Sequence, residues 1–560
     1  MRREEVEKIK SLGQVFTPYE IAEFIVNWCI RDGSDKVLDP CAGDGIFVQA
    51  LIRRFSELKN DETKGNIYAI EKDQTLFFKL KERFAKKATV VLGDFFDIIP
   101  SKMANPSENN VLPFFTAVVG NPPYVERQRI KNIRYLRRIY PEIPSLSDLY
   151  VYFIVHSAGF LKDGCRLGFI ISDTWLSMNF GKYLQNFLLT NFKIHALIYF
   201  DERVFPRLIK AVVIFAEKVS GPHKGEYDVI FIRVKNYSPA VLKEILCFLQ
   251  GEGELKKVPF VSVSKVSTAV LKKEKSWLPY AYGLKFYQLL KEHPLLVPLK
   301  RIARTSIGLF TLANSFFILD EEKIRKYKIE REYLKPILFS YKEVNEPVIK
   351  INTTHYVLYC DKEKPELSGK NVLNYILWGE KHRVRIKGKN LIITGYHNIP
   401  RIRMSHRRPW YNLKQEIDGR CIKPIAFPRR IYSKFIVAWN KSNVVLSDNF
   451  IGIEPKSPRH LFPLHIILNS SLTEYIARVR GHLYGGGVLD LRPNDVGELL
   501  TINLDQLQSD VLNELENAFY EFLKSGDRGL IDRIVFNILG YSEEELRQEL
   551  EDIKRLQLSN

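Results

Sequence analysis

The stretch Asn121-Pro122-Pro123-Tyr124 follows an apolar run at 114–119 that reads as a buried strand ending at Gly120. Proline fixes its own φ and disfavours helix in the residue before it, so the two rings hold this loop extended and stiff. The Asn121 side-chain oxygen and the Pro122 carbonyl become two acceptors held near each other. A planar exocyclic amine carries two N–H donors that suit such a pair. Accepting both hydrogens draws the nitrogen out of conjugation and localises its lone pair for attack. Tyr124 adds an aromatic face on which a flipped base can stack and which tolerates a nearby cation.

The elements that must position this loop read as strands alternating with helices. A short strand at 36–38 runs into Asp39-Pro40-Cys41-Ala42-Gly43-Asp44-Gly45-Ile46-Phe47 and then a helix through Leu51. Glycines permit close backbone approach to a ligand, and the N–H groups at a helix start favour an anionic group. The spacing lacks both G-x-G-x-x-G and the lysine of a P-loop, so a nucleoside cofactor other than a dinucleotide is expected. A strand at 66–70 ends at Glu71, the acidic position that bonds ribose hydroxyls in doubly wound folds. A strand at 89–92 ends at Gly93-Asp94-Phe95. Four successive strand ends thus carry Asp39, Glu71, Asp94 and Asn121. The expected fold class is α/β, a Rossmann-like doubly wound sheet with its chemistry at the strands' carboxyl ends. Ahead of it, Gly13-Gln14-Val15-Phe16-Thr17-Pro18 precedes a helical pattern, with Thr17 in the position of a cap. After it come a helix at 149–161, a strand at 167–171 with the Ser172-Asp173-Thr174-Trp175 loop, and strands at 194–200 and 211–216. The last two flank a loop containing Phe205-Pro206.

Lys and Arg number 84 against 65 Asp and Glu in 560 residues, a net charge of +19. An anionic partner is expected, nucleic acid before a membrane surface. No apolar run reaches the length of a membrane span and the polar start is unlike a secretory signal, so the expected compartment is the cytoplasm. The six cysteines are dispersed without C-x-x-C pairs or histidines at ligand spacing, and no metal is expected. Cations cluster at Arg127, Arg129 and Lys131 beside the proline loop. Further on they recur at Lys381 to Lys389, at Arg401, Arg403, Arg407 and Arg408 before Trp410, and at Lys423, Arg429, Arg430 and Lys434.

These motifs, in this order, resemble the S-adenosylmethionine-dependent N6-adenine DNA methyltransferases of the TaqI-like gamma class. The resemblance covers most of the chain and includes SDLYVYFIVHSAGFLKDGCRLGFIISDTWL and VFPRLIKAVVIF. It implies a class I methyltransferase fold followed by a target recognition domain. It implies that Thr17, Asp39, Pro40, Gly43, Gly45, Glu71, Asp94 and Phe95 hold S-adenosylmethionine. It further implies that Asn121 and Pro122 orient the target amine while Tyr124 and Phe205 sandwich an extruded adenine. Arg127, Arg129, Lys131, Arg407, Arg408, Trp410, Arg429 and Arg430 are the candidates for contact with double-stranded DNA. The glycine loop departs from the family's usual Asp-Pro-Ala-Cys-Gly-Ser-Gly by exchanging Cys41 and Ala42 and by placing Asp44 where serine is common.

The expected organisation is a catalytic domain over 1–260, a connector over 261–294, a mixed α/β recognition domain over 295–503 and a helical tail over 504–560. Asn-Pro-Pro-Tyr also occurs in enzymes that methylate glutamine in release factors or guanine in ribosomal RNA, and these remain the alternatives, with a catalytically silent DNA-specificity subunit. The large basic region after the catalytic fold favours DNA. The dozen residues before the first motif leave no room for a nuclease domain, so the expected role is either the modification partner of a separate restriction endonuclease acting on the same site or a solitary methyltransferase.

Overall fold

Val37–Asp39 (β1) is buried along its whole length, as a parallel strand covered on both faces must be. It sits inside a nine-stranded sheet whose other members are Ile67–Glu71 (β2), Thr89–Leu92 (β3), Phe115–Gly120 (β4), Leu161–Ser172 (β5), Phe192–Phe200 (β6), Ala211–Lys218 (β7), Asp228–Val234 (β8) and Val261–Ser267 (β9). In this computed structural model the described residues are 16–101, 110–125, 130, 132–178, 180–202, 204–205, 210–221, 225–350, 354–386, 391–484 and 488–558.

The strand order is β3-β2-β1-β4-β5-β7-β6-β8-β9. β1 pairs in parallel with β2 on one side and β4 on the other, matching Val37 to both Ile67 and Ala117. The chain therefore winds outward in both directions from the gap between β1 and β4. Such a switch point leaves a crevice at the carboxyl ends of the strands, where open α/β sheets bind ligands. β7 enters antiparallel between β5 and β6. Helices Tyr19–Cys29 (α1), Ile46–Glu57 (α2), Gln74–Phe84 (α3) and Leu149–Ala158 (α4) accompany the sheet. The buried face of α1 presents Phe24 and Trp28 to Phe215 of β7, with ring centroids at 5.3 and 4.4 Å.

The chain divides into two compact units after Leu284. Residues 261–294, expected as a connector, instead hold β9, which pairs antiparallel with β8 along its full length. That pairing satisfies backbone groups that β8 would otherwise present as an open edge. The second unit contains two four-stranded sheets. One orders Ala303–Ile307, Phe450–Pro455, Ile425–Pro428 and Ala438–Trp439; the other orders Ile318–Asp320, His355–Leu358, Leu334–Leu338 and Val445–Leu446. An aromatic cluster of Phe316, Phe317, Tyr375 and Tyr411 fills its core. The helices from Ser509 to Leu558 fold into this unit and are no separate appendage. Buried Glu474 accepts from Arg478 Nε at 2.8 Å and from Arg528 at 2.6 Å, and Gln557 donates to the Arg478 carbonyl at 3.0 Å. Among the described residues no helix is long and apolar enough to cross a membrane.

Candidate active site

A cavity of about 670 Å³, open to solvent, lies at the switch point, walled by the ends of β1, β2, β3 and β4. Its lining includes Pro40, Gly43, Glu71, Asp94, Phe95 and Asn121 from the expected site residues. It also includes Phe16, Ile70, Lys72, Asp73, Pro123 and Phe153, which motif reading did not select. Their neighbourhood to motif residues was the available signal for Lys72 and Asp73; Phe153, inside an apolar helix, carried none.

The loop after β1 is shaped by glycine. Gly43 and Gly45 take φ of 58° and 86°, left-handed values that side chains disfavour. At Gly45 a Cβ would also strike Leu80 and Phe84 of α3 at 2.6 Å, so α2 could not start there. Glu71 clamps the loop: its Oε2 accepts from the Gly43 amide at 2.9 Å and its Oε1 from the Asp73 amide at 2.8 Å. Burial raises its pKa while these two amides lower it.

Three expected cofactor ligands stand back from the cavity. Gly45 serves helix packing. Asp39 is fully buried beneath the loop, where Oδ1 accepts from the Cys41 amide at 3.2 Å and Oδ2 has no hydrogen-bond partner among the described residues. Burial, with Glu71 and Asp44 nearby, pushes its carboxyl up to about 8. Thr17 caps nothing, since the residue flanking α1 is Pro18. Its hydroxyl instead accepts from Asn121 Nδ2 at 3.0 Å.

Asn121 is also held through its backbone, whose carbonyl accepts from Cys41 Sγ at 3.3 Å. The Tyr124 hydroxyl donates to the Ile170 carbonyl at 3.2 Å. Its ring meets Phe205 edge to face, with centroids 5.6 Å apart and planes at 63°. A base stacked between two rings needs them about 7 Å apart and parallel, so the expected sandwich requires these rings to part and turn. Phe205 is buried here by packing on Tyr124 and the core beneath it.

Asp94 Oδ1 accepts from the Phe96 amide at 3.2 Å, and Lys72 Nζ lies 3.9 Å from its Oδ2. Phe95 stacks on Phe153 with centroids at 5.5 Å. His156 on α4 supports this turn from behind. Its Nε2 lies 3.0 Å from the carbonyls of both Phe95 and Ile98, acceptors that require Nε2 to carry the proton, while Nδ1 bonds the Tyr140 hydroxyl. Burial lowers its pKa, which keeps it neutral.

The candidate DNA contacts separate into two kinds. Arg407 is buried, donating to Glu416, to the Thr311 carbonyl at 2.8 Å and to the Phe310 carbonyl at 2.7 Å. Trp410 packs into the aromatic core and donates its indole N–H to Glu380 at 2.8 Å. Arg429 is held between Asp448 and Asp490 at 3.6 and 3.3 Å. These three build the second unit, because each is already bonded or ion-paired within it. Arg408 and Arg430 are exposed. Arg127, Arg129 and Lys131, with Lys387 and Lys389, lie outside the described residues.

Residues 48–205 match the model of the Eco57I restriction-modification methylase, and residues 275–524 match the C-terminal domain of Type II methyltransferase M.Eco57I. The Type II methyltransferase M.AccI of Acinetobacter calcoaceticus is 23% identical over 558 residues, 95% of this chain and 94% of that one. M.HincII of Haemophilus influenzae is 28% identical over 268 residues, 46% of this chain and 45% of its own. Among solved structures, the type IIL restriction-modification enzyme MmeI in complex with DNA superposes with a TM-score of 0.51 at 12% identity, over 98% of this chain and 76% of that one; at that identity the likeness is one of fold. With both matched in order, the chain carries an Eco57I-type restriction-modification methylase domain followed by an M.Eco57I-type C-terminal domain: it is a DNA methyltransferase, the modifying component of a restriction-modification system, and S-adenosylmethionine is its methyl donor.

Proposed function

We propose that the enzyme methylates the exocyclic N6 of adenine in a specific sequence of double-stranded DNA. One observation carries the reading: Asn121 and Pro123 border the same cavity as Glu71, Asp94 and Phe95. The amine-binding loop and the nucleoside-binding strand ends therefore face a common space.

The donor set suits S-adenosylmethionine. Glu71 and Asp94 on the cavity wall, with Asp39 buried behind the loop, favour a cationic group, and Ile70, Phe95 and Phe153 give apolar walls for a purine. Gly43 and Gly93 leave backbone free for close approach. When bound, this cofactor supplies an electrophilic methyl carbon on a sulfonium.

The chain's own residues do the rest. Adenine N6 is paired within the duplex, so the base must leave the stack to reach the cavity. Tyr124 and Phe205 receive its ring once their mutual contact opens. Asn121 Oδ1 and the Pro122 carbonyl accept the two N6 hydrogens and hold the lone pair toward the cavity. The proton that N6 loses on methylation starts on one of these hydrogen bonds and leaves to water. Catalysis is mostly positioning, which needs no strong base. Thr17 fixes the Asn121 amide, and Arg408 and Arg430 offer charge to phosphates. A separate endonuclease cutting the unmodified site completes the system.

The test is transfer of labelled methyl to unmethylated genomic DNA, with RNA and release factor in parallel and single-molecule mapping of the product. N6-methyladenine at one motif, lost in Asn121→Ala, is the expected result. Label on cytosine, RNA or protein overturns it.

A further inference from the structure

The second unit carries a short two-stranded ribbon whose register sorts its side chains by chemistry. Arg383 pairs with Thr394, Val384 with Ile393, and Arg385 with Ile392, all antiparallel. Paired residues share a face and successive residues alternate, so Arg383, Arg385, Ile392 and Thr394 stand on one side. All four are exposed. Val384 and Ile393 point the other way, and Val384 packs on the aromatic core of the unit.

The base of the ribbon is rigid. The Gly395 amide donates to the His382 carbonyl at 2.7 Å, and Asn398 Nδ2 donates to the Thr394 carbonyl at 2.8 Å. The His382 ring lies parallel to Tyr396 at 5.7 Å. Gly395 has φ of 83°, and a Cβ there would press on the Glu380 carbonyl at 2.6 Å, so the strand returns tight against the helix Asn371–Lys381. Ile392 is 54% exposed and Leu391 46%, apolar surface that folding leaves uncovered.

We propose that the outward face of this ribbon enters the major groove and that Arg383 and Arg385 read bases there. The inference rests on the reading that the substrate is duplex DNA. The major groove, about 12 Å wide, admits a two-stranded β-ribbon. Arginine forks onto guanine O6 and N7, and an aliphatic side chain contacts the thymine methyl. Arg383 and Arg385 on one strand, with Ile392 directly across from Arg385, supply both chemistries on one surface, and the rigid base holds them in register.

Arg383→Lys and Arg385→Lys keep the charge and lose the fork. Motifs are first defined for wild type by selecting bound duplexes from a randomised pool, a readout that does not depend on methylation. Binding by fluorescence anisotropy is then compared for the selected duplex, its single-base variants and an unrelated duplex. The lysine variants should bind unrelated duplex within about twofold of wild type while discrimination at one base pair falls roughly tenfold. Melting temperature and cofactor affinity should not move. Unchanged discrimination overturns the inference, as does equal weakening on every duplex, which marks a phosphate contact. Selection of a duplex motif without methyl transfer would overturn the proposed reaction and leave the ribbon standing.

Discussion

Asn121 Nδ2 donates to Thr17 Oγ1 at 3.0 Å, across 104 residues of chain. The bond ties the proline loop at the end of β4 to the segment before α1, so the amide proposed to face the target amine is set by a residue outside its own motif. Thr17→Val removes the acceptor and keeps the shape. A lost hydrogen bond of this kind is worth about 1 kcal/mol, so kcat should fall several-fold with cofactor affinity nearly unchanged. Asn121→Ala should abolish turnover. Single-turnover methyl transfer beside equilibrium cofactor binding separates the two; a Thr17→Val loss confined to cofactor affinity would count against the positioning role.

Asp39 predicts a pH dependence. Its carboxyl, pushed up to about 8 in the folded protein from an unfolded value of 3.8, lets the native state hold a proton the unfolded chain has lost. Its contribution to stability is therefore present at low pH and is lost as pH rises through about 8. A cationic cofactor favours the ionised form, so binding should release a proton and tighten between about pH 6 and 8. Calorimetry in buffers of different ionisation enthalpy reads the proton directly. Asp39→Asn should flatten the affinity profile; a flat profile in wild type would contradict this account.

The loop bearing Phe205 leaves from a buried ion pair. Arg233 on β8 forks onto Asp201, with Nε and a terminal nitrogen at 2.8 to 3.1 Å from the carboxylate, and also donates to the Tyr282 carbonyl at 3.0 Å. Arg233→Met leaves the Asp201 charge buried, and such a loss costs about 3–5 kcal/mol. Urea unfolding should show it. Arg233→Lys should rescue little, because lysine cannot make the fork.

Arg407 and Arg408 are adjacent and should behave differently. Arg407→Ala removes a buried group that satisfies two carbonyls and Glu416; about 2–4 kcal/mol of stability should go. Arg408→Ala touches an exposed side chain. It should leave melting unchanged and reduce the salt dependence of DNA binding by close to one unit of slope. Equal melting of the two variants would refute the assignment.

The strand ends Asp39, Glu71, Asp94 and Asn121 were legible because each closes a short apolar run, and period and punctuation are local properties of a chain. Arg407 and Trp410 were misread for the opposite reason. A cation beside an aromatic looks the same in sequence whether it faces solvent or fills a core, and only long-range packing against Phe310, Thr311 and Glu380 distinguishes them. His156 was invisible because its partners are the backbone carbonyls of Phe95 and Ile98, which no side-chain pattern records.

By itself the sequence determined the α/β alternation, the stiff Asn-Pro-Pro-Tyr loop and the order of the motifs, since proline geometry, glycine freedom and hydrophobic period act over a few residues. Tertiary structure alone decided that Thr17 orients Asn121, that Asp39 lies under its loop with a raised pKa, that Tyr124 and Phe205 touch, and which arginines reach solvent. Those depend on strand order, burial and register, which bring together groups a hundred residues apart.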